Sequence, residues 1–162
     1  MIREGDINDA QAIANIFNHY VVSSPVIFSN TTLSVEDMRQ KLTQLEVGSR
    51  FPFLVAEIDG QVAGYAYAHL WMPDPVYDKS WEVTIYLSRE AAGHGLGSEM
   101  LKRLVDMCRQ AGAHTLVSFI TEGNSPSEKI HLKNGFKFVG VIPESGFKFG
   151  KYYNDAIYQI IF

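Results

Sequence analysis

The stretch Trp81–Leu87 alternates strictly. Trp81, Val83, Ile85 and Leu87 point one way and Glu82, Thr84 and Tyr86 the other, which is the period of a β-strand. A glycine-rich loop follows, Gly93-His94-Gly95-Leu96-Gly97-Ser98. The chain then places Leu96, Met100, Leu101, Leu104, Val105 and Cys108 on one side of a helix that Gly112 is placed to end. Strand, glycine loop and helix in that order restrict the fold to a mixed one and suggest a ligand. Glycines let backbone N–H groups turn toward one point, and the helix N-terminus adds partial positive charge. Such a loop binds a pyrophosphate without a basic side chain, although a glycine-rich turn with no ligand remains the alternative on the loop alone.

The loop needs that independence from basic residues. Lys plus Arg number 14 and Asp plus Glu 18, so the net charge is 14 − 18 = −4. A mildly acidic chain argues against nucleic acid or an anionic membrane as partner. Two familiar phosphate motifs are excluded. The dinucleotide fingerprint G-x-G-x-x-G fails because its last place holds Ser98, and the Walker pattern fails because no lysine follows the glycines.

Around this centre the pattern predicts a short strand at 2–4, a helix capped by Asp6 with Asp9 three residues on, and a second helix begun by Ser34 with Glu36 and Asp37 in its first turn. Phe51–Ile58 and Val62–Leu70 read as strands joined by the hairpin signal Asp59-Gly60. Gly64, Ala66 and Ala68 keep one face of the return strand small. His114–Ile120 is a strand. Ser125-Pro126-Ser127-Glu128 reads as a capping box opening a short helix that ends near Asn134-Gly135, and strands at about 137–149 and 152–162 close the chain. This order implies an α/β (α+β) architecture, with a mixed, mostly antiparallel sheet of six to seven strands and helices on both faces. The 162 residues read as one domain, 1–162. A lone cysteine, the absence of an apolar leader and the absence of a membrane span predict a cytoplasmic protein.

Nearly the whole chain resembles the GNAT superfamily of N-acetyltransferases, and more closely its phosphinothricin acetyltransferase-like branch. The likeness runs through Asn18-His19-Tyr20-Val21, Leu54-Val55-Ala56-Glu57, Asp59-Gly60-Gln61-Val62-Ala63-Gly64, Tyr65-Ala66-Tyr67-Ala68, Trp71, Tyr77-Asp78, Glu82-Val83-Thr84-Ile85-Tyr86-Leu87, the glycine loop, Asn124, His131, Gly135-Phe136 and Gly146-Phe147-Lys148. The resemblance implies the GNAT fold and acetyl-CoA as acetyl donor. It implies that Ile85, Tyr86 and Leu87 pair with the pantetheine arm, that Gly93, His94, Gly95, Leu96, Gly97 and Ser98 hold the pyrophosphate, and that Asn124 contacts the cofactor. It also implies a small-molecule amine as acceptor, such as phosphinothricin or methionine sulfoximine, with Phe28, Trp71 and Tyr77 near it, and a homodimer. A protein-acetylating enzyme of the same fold and a non-catalytic acyl-CoA-binding protein are the alternatives.

Two departures from the branch stand out. Ala92 occupies a place where the superfamily often has Gln or Arg. The run Trp71-Met72-Pro73-Asp74 lacks the basic residues that phosphinothricin acetyltransferases tend to carry, which argues against an acceptor carboxylate held there.

Acetyl transfer to an amine requires removal of a proton from an ammonium and favours a proton donor for the departing thiolate. The resemblance assigns the first task to Glu82, as base for direct attack on the thioester. A mid-strand carboxylate on a covered sheet is desolvated and so a better base; a solvent-facing residue, or one paired with a lysine, is the alternative. His131 matches a histidine discussed as a second catalytic group, against the alternative of a surface or supporting histidine. His19, His69 and His114 show no metal-ligand spacing, so no metal is expected. Cys108 belongs to a helix core rather than to catalysis.

Overall fold

The computed structural model describes residues 1–162. The chain runs β1 (Ile2–Glu4), α1 (Ala10–Ser23), α2 (Val35–Gln44), β2 (Phe53–Ile58), β3 (Gln61–Leu70), β4 (Ser80–Leu87), α3 (Leu96–Gln110), β5 (Thr115–Thr121), α4 (Ser125–Lys133), β6 (Lys137–Lys148) and β7 (Lys151–Ile161), with short 3₁₀ turns before α1, β4 and α3. The seven strands form one sheet in the order β1-β2-β3-β4-β5-β7-β6. Every pairing is antiparallel except β4 with β5.

Alternation along β3 explains the layers. Tyr65 and Tyr67 face α1 and α2, where they pack with Phe53, Val55, Ile13, Phe17, Met38 and Leu42. Ala66 and Ala68 face the other way, and their small side chains let the Leu101 and Leu104 side of α3 settle against the sheet with Trp81, Val83 and Leu116. Cys108 is fully buried in that second core, and burial pushes its thiol up to about 12.

Local signals account for most boundaries. Asp6 and Asp9 form a reciprocal cap, as do Ser34 and Asp37. Asp59 and Gly60 both take positive φ, 51° and 76°, in the two-residue turn between Ile58 and Gln61, as a type I′ hairpin demands. One expectation fails. Ser125 does not cap α4: Asn124 occupies the N-cap, its side chain makes no cap bond, and Ser125 and Pro126 lie inside the first turn. Glu128 Oε1 instead accepts from the Gly123 N–H at 3.3 Å. No helix is long and apolar enough to cross a membrane.

Candidate active site in the gap between β4 and β5

β4 pairs with β3 along its whole length, from Leu70 opposite Trp81 to Gly64 opposite Leu87. Its pairing with β5 covers only Ser80, Trp81 and Glu82. Beyond Glu82 the two strands diverge. The backbone groups of Val83–Leu87 on that side have no sheet partner, and unpaired strand edges are ready templates for an extended ligand.

The divergence opens a cavity of about 480 Å³. Glu82 and the rest of β4 form one wall, β5 residues 118–121 the other, and α4 with Asn124 and His131 the floor. The glycine loop and the start of α3 close the far end through Gly93, Gly95, Gly97 and Ser98. Gly95 is the N-cap of α3 with φ 78°, and it offers no side chain to the first turn. The amides that open a helix have no partner within it, and these open beside the cavity. Lys129 is the only basic residue in the lining, so a bound phosphate would rely on backbone donors and the helix dipole. An unpaired strand edge, a helix N-terminus free of side-chain capping and a cleft of this size fit acetyl-CoA.

Close packing aligns these parts. Leu87, the last residue of β4, sits against Gly64 and Gly97; a Cβ on Gly64 would overlap the Leu87 methyl, and one on Gly97 would come within 3.0 Å of it. The Tyr20 hydroxyl of α1 donates to the Leu87 carbonyl at 2.6 Å.

Glu82 is partly buried. His69 Nε2 is 3.8 Å from its carboxylate. Burial, reinforced by the charge of Asp155 and offset by Lys41, raises Glu82 to about 7. His131 is 1% exposed. Its Nδ1 lies 2.8 Å from the Ser127 carbonyl, which fixes Nδ1 as the N–H and leaves Nε2 with a lone pair. Nε2 is buried without a partner, and burial pushes the ring down to about 4. The imidazole is therefore neutral near pH 7 and accepts, rather than donates, at Nε2.

Of the residues expected at a site, the cavity gathers Glu82, Ile85, Tyr86, Leu87, Gly93, Gly95, Gly97, Ser98, Asn124 and His131. His94 and Leu96 are not in its lining; Leu96 packs instead against the α3 core. Phe28, Trp71 and Tyr77 also stand outside it. Phe28 lies on Gly146 of β6 and 6.5 Å from the Tyr153 ring, while Trp71 and Tyr77 pack edge to face at 5.4 Å. The sequence reading missed Tyr20, Val26, Thr84 and the β5 residues Ser118 to Thr121. Tyr20 and Thr84 fall inside motifs that carried the resemblance, but the β5 residues carried no signal beyond strand periodicity. No group of three or more His, Cys, Asp or Glu is placed to hold a metal.

Residues 2–157 match the family described as acetyltransferase (GNAT) domain. The phosphinothricin N-acetyltransferase of Streptomyces viridochromogenes is 32% identical over 158 residues, covering 98% of this chain and 85% of the relative. A crystal structure of a ribosomal-protein-alanine N-acetyltransferase from Brucella melitensis superposes with a TM-score of 0.94 at 31% identity, covering 100% of this chain and 99% of that one. A phosphinothricin acetyltransferase from Sinorhizobium meliloti, solved in complex with acetyl-CoA, superposes with a TM-score of 0.94 at 29% identity, covering 99% and 87%. The chain belongs to the GNAT acetyltransferases, and it is an N-acetyltransferase that takes its acetyl group from acetyl-CoA.

Proposed function

We propose that this enzyme acetylates the primary amine of a small molecule, with Glu82 as the base. The observation that carries the reading is a carboxylate raised to about 7 at the last residue of β4 that pairs with β5, where the cavity begins. A base of that strength is half ionised at neutral pH and still able to take a proton from an ammonium through a hydrogen bond or one water.

Ile85, Tyr86 and Leu87 offer backbone groups to the pantetheine arm, Gly93–Ser98 offer amides to the pyrophosphate, and the Asn124 side chain, free of any capping bond, is available to the donor. Acetyl-CoA supplies a thioester whose carbonyl the neutral amine attacks, so that a C–N bond forms as the C–S bond breaks. Glu82 takes the first proton from the ammonium. The second leaves the nitrogen as the amide forms and balances the thiolate. Neutral His131 presents a lone pair at Nε2 and serves as a hydrogen-bond acceptor that orients a donor in the cavity. An imidazole in this state is not the proton donor that a departing thiolate favours.

Similarity to phosphinothricin acetyltransferases supports an amino-acid analogue such as phosphinothricin or methionine sulfoximine as acceptor. The absence of basic residues after Trp71 favours an acceptor recognised chiefly by its amine. We also propose a homodimer, supported by the exposed Phe138, Val139, Ile142, Phe147 and Tyr152 on the β6–β7 hairpin, an apolar patch of the kind subunit interfaces cover.

The test is an initial-rate thiol-release assay with acetyl-CoA and a panel of amines, beside calorimetry of CoA. Glu82→Gln is expected to lower turnover by roughly 10²–10⁴-fold with CoA affinity unchanged. Tight CoA binding with no turnover on any amine by the wild type would overturn the reading in favour of a non-catalytic binding protein.

A further inference from the structure

Strand register sets a histidine against the carboxylate that opens the cavity. His69 of β3 stands opposite Glu82 of β4. Alternation puts both side chains on the face that α1 and α2 cover, the face of Tyr65, Tyr67 and Tyr86. His69 Nε2 lies 3.8 Å from Glu82 Oε2. The ring is held from its other side. Its Nδ1 is 2.8 Å from the Leu70 carbonyl, and its centroid is 6.0 Å from that of the Tyr67 ring. A carbonyl only accepts, so Nδ1 carries the hydrogen and Nε2 turns a lone pair toward the carboxylate. Burial lowers His69 below the ordinary histidine value, the Leu70 bond opposes this and the charge of Lys41 adds to it, so the ring is neutral near pH 7. At 3.8 Å the two atoms stand just beyond hydrogen-bond reach, as befits a lone pair facing a carboxylate with no proton between them.

We infer that His69 is a positioning residue for the base: once Glu82 has taken the amine proton, His69 Nε2 accepts the new O–H and keeps that proton from returning to nitrogen. The inference rests on the reading of Glu82 as base. An alkylamine titrates near the lysine value of about 10.4, well above Glu82 at about 7, so a proton on an unsupported Glu82 falls back to the amine. A neutral imidazole beside the acid removes part of that imbalance, because the acid form gains a hydrogen bond that the carboxylate cannot make. One N–H bond breaks and one O–H bond forms. The terminal torsion of a glutamate is broad and roughly two-fold, so the oxygen that took the proton can swing toward Nε2, and a shift of about 1 Å closes the bond. His69 keeps its own hydrogen on Nδ1 throughout, against Leu70. Glu82, itself 27% exposed, gives the proton to water after the amide has formed.

Other charges reach the pair. Lys41 of α2 acts on both groups and Asp155 of β7 on Glu82, while Tyr67 and Tyr86 share its face of the sheet. The test is His69→Met against His69→Gln. The two side chains are equal in length and both lose the Leu70 bond, but only glutamine brings a strong acceptor toward Glu82. Glu82 is titrated by carboxyl NMR in the protein without ligand. L-Methionine sulfone serves as the amine in initial rates, with calorimetry of CoA beside them. His69→Met is expected to move the Glu82 midpoint down by about half to one pH unit and to lower kcat by about threefold to tenfold, with the amine KM and CoA affinity unchanged. His69→Gln should hold the midpoint and most of the turnover. An apolar methionine by itself drives the midpoint up, so the direction separates a lost acceptor from altered burial. In the wild type the ¹⁵N shift of His69 Nε2 should change at the Glu82 midpoint, a readout that needs neither variant nor substrate. A Glu82 midpoint that stays or rises in His69→Met overturns the inference. So does a His69→Gln that matches His69→Met in both readouts, or a His69 nitrogen indifferent to Glu82. Failure of the base assignment reads differently: Glu82→Gln would then keep its turnover while the midpoint shift in His69→Met remained.

Discussion

Glu82 on β4 stands opposite Val117 on β5, and that is the last pairing between the two strands. The same residue therefore ends the continuous sheet and opens the cavity. Its half-burial follows from this position, and half-burial is what raises it to about 7.

The first prediction concerns pH and rate. The reaction needs Glu82 ionised, so kcat/KM for the amine should rise with pH through about 7 and level off above it. Glu82→Gln should flatten this limb. His131 sits at about 4 and stays neutral across the range, so it should add no second limb between pH 5 and 8. A pH profile of initial rates checks both statements.

The second prediction is that Glu82 costs stability. Its folded pKa of about 7 lies above the unfolded value of 4.5, so between these values the folded state binds more protons. Stability should fall as pH rises through that window, by up to roughly 3 kcal/mol. Glu82→Gln should raise Tm at pH 8 and leave it nearly unchanged at pH 4.5. Thermal melts at the two pH values read the difference.

These electrostatics were only partly legible in the sequence. Alternation placed Glu82 in mid-strand and the family resemblance gave it a role. His69 stands opposite it through strand register, the charges of Lys41 and Asp155 act on it across the fold, and no local pattern marks any of the three. The glycine loop, the Asp59-Gly60 turn and the two acidic caps were legible because each signal acts within four residues. The cap at Ser125 was misplaced for the same reason. Ser-Pro-Ser-Glu carries the right residue types, but the chain enters α4 one residue earlier, at Asn124. Phe28, Trp71 and Tyr77 were assigned to an acceptor wall by resemblance alone, and their packing lies outside the cavity.

The third prediction concerns Gly64. A Cβ there would overlap the Leu87 side chain and come within 3.2 Å of the Tyr86 carbonyl. Gly64→Ala should push Leu87 toward the glycine loop and Tyr86–Leu87 out of line. Overpacking of this kind costs about 1–3 kcal/mol. The functional effect should exceed that of stability alone, because the displaced residues border the cavity. CoA affinity by calorimetry should fall by about tenfold or more, whereas Gly60→Ala, where a Cβ meets no neighbour, should leave CoA affinity unchanged.

The fourth prediction concerns Lys148, which is buried near the end of β6 without a carboxylate partner. Its Nζ donates to the carbonyls of Ser24 at 2.7 Å, Ile27 at 2.9 Å and Tyr20 at 3.4 Å. These carbonyls close α1 and begin the segment after it; those of Tyr20 and Ile27 also accept the Ser24 and Ser29 N–H groups at 3.1 and 2.9 Å, whereas the Ser24 carbonyl depends on the ammonium, which also meets the negative end of the helix dipole. Thr121 ties the same segment to β5 by donating to the Pro25 carbonyl at 2.9 Å, and Val26 between them lines the cavity. Lys148→Met keeps the length of the side chain and removes its donors. A buried acceptor left unmet costs about 1–3 kcal/mol, and the Ser24 carbonyl is the one that loses its donor, so the loss should be roughly 1–3 kcal/mol in urea denaturation. Lys151→Met, at an exposed lysine over the Tyr153 ring, should change stability by under about 1 kcal/mol. If the two substitutions cost the same, the carbonyl cluster does not anchor the segment after α1.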